Sequence, residues 1–220
     1  MRSSRFLMLI VWCLLAATAA QARACTPAGQ PVNPDYQRFS AEEWRQEAQR
    51  LKSSERLVSR QHDRLRLALD GGQVLELADC PYGDAAYWYL YERYDQAGGF
   101  HVVRTQASDD FSYTLVTMRN GGQVTVHSAP VWASDRSRFL TIACSLEPPR
   151  GQLHIQTPAA DGPTTEAEFP LPCDKESCSA RWDHESWISV TCTPREAAAK
   201  KGSEFVLMRG KDGAWNKFGR

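Results

Sequence analysis

Any chemistry this chain performs would have to come from five histidines, seven cysteines and a few clustered acids. The histidines, His62, His101, His127, His154 and His184, fall in no nucleophile elbow, no H-E-x-x-H helix and no other pattern whose spacing implies a mechanism. His101, His127 and His154 occupy hydrophobic strand-like segments and read as exposed strand positions, not as general bases. Ser134 and Asp135 could suggest acid–base work, yet short polar residues of this kind satisfy backbone donors in turns. Acids gather at Asp79 and Asp84, at Asp109-Asp110, and at Asp183 with Glu185. Calcium loops place several Asp at alternate positions beside a turn glycine; no D-x-D-x-D-G run occurs, so a calcium site is not expected. Cys173-x4-Cys178 with His184 and Cys192 could be drawn as a zinc set, but an oxidising compartment favours disulfides. No catalytic residue, metal or cofactor is expected.

The most unusual local feature is aromatic: Tyr82, Tyr87, Trp88, Tyr89, Tyr91 and Tyr94. A strand in a small sheet cannot bury both of its faces fully, so some of these rings are expected at the surface. Tyrosine suits recognition because it buries a large area and keeps a polar tip. Tyr87, Tyr89, Tyr91 and Tyr94, with the neighbouring turn at Asp109-Asp110, are therefore the candidate binding residues. The competing arrangement puts Trp88 and Leu90 on the core and makes the tyrosines a cross-strand ladder.

The N-terminus suggests where such a protein works. Arg2 and Arg5 precede an uncharged apolar run from Phe6 to Ala17, and Ala22-Arg23-Ala24 fits an A-x-A cleavage pattern before Cys25. Residues 1–24 read as a signal peptide whose apolar run, roughly 12–15 residues, is shorter than the ~20 a spanning helix needs. A lipid anchor on Cys25 is the lesser reading, because Arg23 is out of place in a lipoprotein signal. Cleavage removes Arg2, Arg5 and Arg23 and no acid, leaving 23 basic against 26 acidic residues. Such a balance gives no basic field for nucleic acid, and no membrane span remains after processing. Six cysteines also remain, an even number that an oxidising compartment makes into disulfides. Cys173–Cys178 across a tight loop, Cys144–Cys192 and, by elimination, Cys25–Cys80 are the expected pairs among fifteen possible connectivities.

These residues need elements to position them. Residues 25–62 read as a proline-rich lead-in followed by one helix: Ser40-Ala41-Glu42-Glu43 is a capping box. Trp44, Ala48, Leu51, Glu55 and Val58 would share the helix's inner face. Residues 63–220 read as all-β and antiparallel. Leu65, Leu67 and Leu69 alternate, Asp70-Gly71-Gly72 turns, and Val74, Leu75 and Leu77 return. Further strands are expected at 87–91, 100–103, 113–118, 124–126, 139–143, 153–155, 188–191 and 205–208.

A period of about fifty residues runs through this region. Gly71-Gly72-Gln73-Val74 recurs as Gly121-Gly122-Gln123-Val124, and Trp132 as Trp182. Asp135 to Cys144 likewise aligns with Asp183 to Cys192, and strand-only repeats of this length suggest propeller blades or a related sheet repeat. The segment Pro130-Val131-Trp132-Ala133-Ser134-Asp135-Arg136-Ser137-Arg138-Phe139 resembles the proline–aromatic–x–Ser-x-Asp-Gly turn of Tol-system-type and WD-type propeller blades. The resemblance covers about residues 64–215 and implies blade architecture only, since such blades carry unrelated functions. Ser137 replaces the turn glycine, and three blade-like units fit where closed propellers have at least four.

The expected fold is thus mainly β, an antiparallel partial propeller or two-sheet sandwich with one N-terminal amphipathic helix. The expected role is an exported, disulfide-stapled binding protein without catalytic activity, with a protein partner in the envelope or outside the cell. An inhibitor or immunity factor is one specialisation of that role. The rivals are an envelope glycan hydrolase pairing Asp109 or Asp110 with Glu92, whose carboxyls would have to lie about 5–10 Å apart, and a lipid-anchored envelope-assembly factor.

Overall fold

Ser40 starts the first element. Its hydroxyl accepts the Glu43 N–H at 3.2 Å, and the Glu43 carboxylate accepts the Ser40 N–H at 2.7 Å. This reciprocal cap opens α1 (Ala41–Ser53). A computed structural model describes residues 39–81, 86–107, 110–144, 151–172, 176–194 and 202–219. The inner face of α1 differs from the apolar stripe expected: Ala48 and Glu55 are exposed, whereas Glu47 is buried. The helix docks through charge as much as through Trp44 and Leu51.

After the helix the described chain is β throughout. Strands β1 (Val58–Gln61), β2 (Arg64–Ala68) and β3 (Val74–Ala78) form the first sheet. The second contains β4 (Tyr87–Asp95), β5 (Phe100–Ala107), β6 (Asp110–Thr117) and β7 (Gln123–Val126). The third contains β8 (Val131–Trp132), β9 (Phe139–Ala143), β10 (Gln152–Thr157) and β11 (Thr164–Pro170). The fourth contains β12 (Glu176–His184), β13 (Trp187–Pro194), β14 (Ser203–Arg209) and β15 (Trp215–Gly219). Every pairing is antiparallel between consecutive strands, so each sheet is a meander, and none closes into a barrel.

Three apolar seams join successive sheets. Leu65, Leu67 and Leu77 of the first pack on Tyr91, Val103 and Val116 of the second. Phe100, Val102, Leu115 and Val126 of the second meet Phe139 and Trp132 of the third. Leu140, Leu153 and Ile155 of the third meet Ile188, Val190, Phe205 and Leu207 of the fourth. Each large side chain buried in this way stabilises the fold by about 1.5–3 kcal/mol relative to exposure. A smaller cluster, Phe39 and Trp44 with Trp88 and Leu90, seats the helix on β4.

Indole donors reinforce the seams. Trp132 donates to the Asp95 carboxylate at 2.5 Å, and Trp182 to the Val131 carbonyl at 2.8 Å. Each tryptophan lies on the first strand of its own sheet and reaches back to the preceding one. Glu166 on β11 holds Arg138 at 2.6 Å, Arg209 at 2.9 Å and the Trp215 indole at 3.2 Å, which ties the third sheet to the fourth. Burial alone would raise the Glu166 carboxyl, but Arg138 and the other donors hold it below its ordinary value. The β6–β7 turn shows why glycine recurs at hairpin ends: Gly121 has φ 69°, and a Cβ there would stand 2.9 Å from Leu69 in the β2–β3 connection.

The cysteine pairing corrects the expectation. Cys178 is bonded to Cys192, with Cα atoms 4.0 Å apart, so neither Cys173–Cys178 nor Cys144–Cys192 forms. The register of β12 against β13 sets Cys178 directly opposite Cys192, a pairing that linear spacing does not show. Cys80 and Cys144 are also disulfide-bonded. The expected Cys25–Cys80 pair involves Cys25, which lies outside the described residues, as do Cys173 and residues 1–24.

Candidate functional site

The aromatic strand is β4, and it is not a free surface. Tyr91 is 0% exposed and Tyr87 only 7%, while Tyr89 and Tyr94 are half-buried. Tyr87 and Tyr91 are therefore withdrawn from the expected recognition face. The alternation of β4 delivers its rings to two different neighbours. Tyr89 and Tyr91 face the first sheet, and Trp88 and Leu90 face the helix. Burial pushes the Tyr91 phenol up to about 12.

Beta 4 is also an edge strand: Tyr87 exchanges main-chain hydrogen bonds with Cys80, and beyond it the outward peptide groups of Tyr89 and Tyr91 are met by side chains. Asp79 accepts the Tyr89 N–H at 2.8 Å, and Arg60 donates to the Tyr89 carbonyl at 2.6 Å. Glu47 accepts the Tyr91 N–H at 2.7 Å. Arg60 joins the two acids, pairing with Glu47 through two contacts of 2.9 Å and with Asp79 at 3.2 Å, while its guanidinium lies 5.0 Å from the Trp44 ring centre. Arg50 donates to the Tyr91 carbonyl at 3.4 Å, so two carboxylates and two guanidiniums stand in for a strand here and blunt an edge that would otherwise invite pairing. Burial raises the Asp79 carboxyl to about 6, against the lowering effects of Tyr89 and Arg60.

Of the carboxylates considered for hydrolysis, Glu92 is the one whose side chain lies among the described residues. Glu92 is bound by Arg50 at 3.0 Å and Arg104 at 3.3 Å, within the same helix-docking set. Asp109 lies outside the described residues, and Asp110 opens β6 opposite Ala107. The zinc set is not available, because Cys178 and Cys192 are joined to each other. Asp135 accepts the Ser137 N–H at 3.0 Å and its hydroxyl at 2.6 Å, a turn-forming role. Of the strand histidines, His127 and His154 are half-exposed, but His101 is 0% exposed and so departs from the expectation. Its ring fills the seam between the first two sheets, where β5 has no solvent side.

The better candidate is a groove of about 480 Å³ where the second, third and fourth sheets converge. Phe111 and Tyr113 of β6, Val131 of β8, Ile142 of β9 and Ala180 of β12 line it, with His127 from the segment that follows β7. Phe111 is 53% exposed and Val131 42%, large apolar residues held in water beside a concavity. The groove forms because β8 pairs with β9 only at Val131–Leu140 and Trp132–Phe139. Beyond that short ladder, the Ile142 N–H donates to the Ser128 hydroxyl at 2.8 Å.

The β12 side is a strand edge. The 4.0 Å separation of Cys178 and Cys192 marks the narrow, non-hydrogen-bonded kind of antiparallel pair. The peptide groups of Cys178, and by alternation those of Ala180, therefore point away from β13. The groove offers apolar area, one imidazole and outward main-chain groups, a set suited to holding a chain. Sequence reading missed Phe111 and Val131. Phe111 is the residue after Asp110 on β6, next to the acids that the sequence points to. Compared with known proteins, the chain matches no family model, no curated protein and no solved structure.

Proposed function

We propose that this chain is an exported, disulfide-stapled binding protein that holds a protein partner in the groove between its second, third and fourth sheets. The observation that carries the reading is the pair Phe111 and Val131, both large, apolar and exposed, lining one concavity. Export is supported by the charged and apolar N-terminal run with its A-x-A site and by the cystine at Cys178 and Cys192, which suits an oxidising compartment. No helix among the described residues is long and apolar enough to cross a membrane.

The architecture behind the site reads as blade-like. Three four-stranded meanders follow one another in chain order, and Trp132 and Trp182 hold the same position in theirs. A groove between successive meanders is where such a stack would present a partner site. Neutralising an enzyme or toxin outside the cytoplasm is the task we assign to it, because the groove walls provide contact area in place of paired acids.

The test is capture from envelope extract with the oxidised protein, read by mass spectrometry, alongside Phe111→Asp and Val131→Asp. One stoichiometric partner, held by the wild type and by Tyr94→Ala but lost by both aspartate variants, is the expected result. A partner retained by both aspartate variants, or glycan cleavage by the purified protein, would overturn the reading.

A further inference from the structure

The seam between the first and second sheets contains one buried ionisable ring. His101 on β5 is 0% exposed, and its Nε2 lies 2.9 Å from the Ala68 carbonyl of β2. A carbonyl oxygen can only accept, so Nε2 carries the proton and the neutral ring leaves Nδ1 as an acceptor. That Nδ1 is buried with no hydrogen-bond partner. A second proton would have to sit on Nδ1, a buried atom with no acceptor beside it.

The surroundings offer the charged ring no compensation. The titratable groups of β4 that face it are the phenols of Tyr91 and Tyr94, with ring centres at 6.0 and 5.5 Å. Opposite it on β6 is Val116. The first sheet presents the Ala68 carbonyl, and the nearby acid Asp70 is exposed, with its N–H committed to the Met118 carbonyl at 2.8 Å. Burial is the main influence on the ring, and it outweighs the Ala68 hydrogen bond to hold His101 below its ordinary value.

The first sheet is also the smallest, with three strands at one end of the stack. An end unit with a single sheet neighbour is where local opening takes least free energy. We propose that His101 is an acid-sensitive latch: its protonation releases the three-stranded first sheet from the second while the third and fourth sheets stay folded. The direction follows from proton linkage. Above pH ~6.5 the ring is neutral in both closed and open forms, and the latch holds. As pH falls from there toward the lower closed-state value, the open form takes up the proton first and gains population. Each unit of separation between the two values makes opening about tenfold more frequent once both are passed. Asp79, at the other end of the same junction, works against this, because its raised carboxyl favours the closed form on acidification.

Hydrogen exchange of the oxidised protein near pH 7.5 and near pH 5, corrected for intrinsic rates, tests the latch. In the Asp79→Asn protein, which lacks the opposing carboxyl, peptides covering 64–78 should open about tenfold more often or greater at the lower pH, while those covering 152–157 should not. His101→Gln keeps a donor for the Ala68 carbonyl and cannot charge, so it should abolish the difference. Should that variant fail to fold, titration of the wild-type imidazole by NMR decides: an apparent value below 6.5, with the 64–78 amides shifting in step, is expected. A His101 that titrates at or above 6.5, or 64–78 amides that ignore it, would overturn the proposal.

Discussion

Glu47 of the helix accepts the main-chain N–H of Tyr91 at 2.7 Å, across 44 residues of sequence. That single contact explains why the buried face of α1 carries a carboxylate where an apolar residue was expected. Beta 4 has no strand on this side, and a carboxylate is the shortest group that can both accept its N–H and grip Arg60.

Glu47 should accordingly be among the most sensitive surface-distant positions in the protein. Removing one partner of a buried ion pair leaves the other charge uncompensated, a loss of about 3–5 kcal/mol. Glu47→Ala should lower the urea midpoint with little change in slope. Glu47→Gln should recover part of that loss, because its carbonyl still accepts the Tyr91 N–H. Equal midpoints for wild type and Glu47→Ala would show that the edge of β4 needs no cap.

Asp79 should impose a pH slope on stability opposite to the usual carboxylate. Its folded value is raised to about 6, so between about pH 4 and pH 6 the folded state binds the extra proton. Stability from this group therefore increases as pH falls through 6 and levels off near 4. The effect is on the order of 1–3 kcal/mol. Asp79→Asn keeps an acceptor for the Tyr89 N–H and should remove this component. Guanidinium unfolding of both proteins at pH 4, 5, 6 and 7 is the check, and parallel curves would sink the assignment.

Much of this architecture could be read from residue order. The capping box, the hairpins around Gly71 and Gly121 and most strands between 87 and 208 follow from spacing and turn chemistry, which are local; β8, β11 and β12 fall outside the expected set. Three features were not legible, and each depends on pairing between distant segments. The Cys178–Cys192 bond depends on a register that sequence does not display. The burial of Tyr91 and His101 depends on the first sheet covering a face that a lone sheet would leave open. The groove depends on β8 being only two residues long, so that β9 outruns it.

The cross-strand cystine should matter mainly through the unfolded chain. It closes a segment with a sequence separation of 14, for which chain entropy gives about 3 kcal/mol. Cys178→Ala with Cys192→Val should lower the melting temperature while leaving the far-ultraviolet spectrum unchanged, since the β12–β13 ladder remains. A peptide map under non-reducing conditions should return the two residues in one linked fragment. Recovery of Cys178 linked to Cys173 instead would contradict the register.

Phe111 and Val131 separate binding from folding. Phe111 is 53% exposed and Val131 42%, so neither carries much of the fold's buried area. Surface substitutions away from special features change stability within about 0.5 kcal/mol, and Phe111→Asp should fall in that range or little beyond it. At a partner interface the same residue would be a central anchor, and truncating such an anchor costs about 2 kcal/mol or more of binding. That corresponds to a loss of roughly thirtyfold in affinity. Tyr91→Ala makes the opposite prediction. It empties a site in the seam of the first two sheets and should cost about 3–5 kcal/mol of stability, as large aromatic truncations in cores do. Its surviving folded fraction should bind normally, because Tyr91 does not line the groove. Calorimetric binding and thermal melts on the two variants form a double dissociation. The groove is the wrong site if Tyr91→Ala loses affinity while Phe111→Asp keeps it.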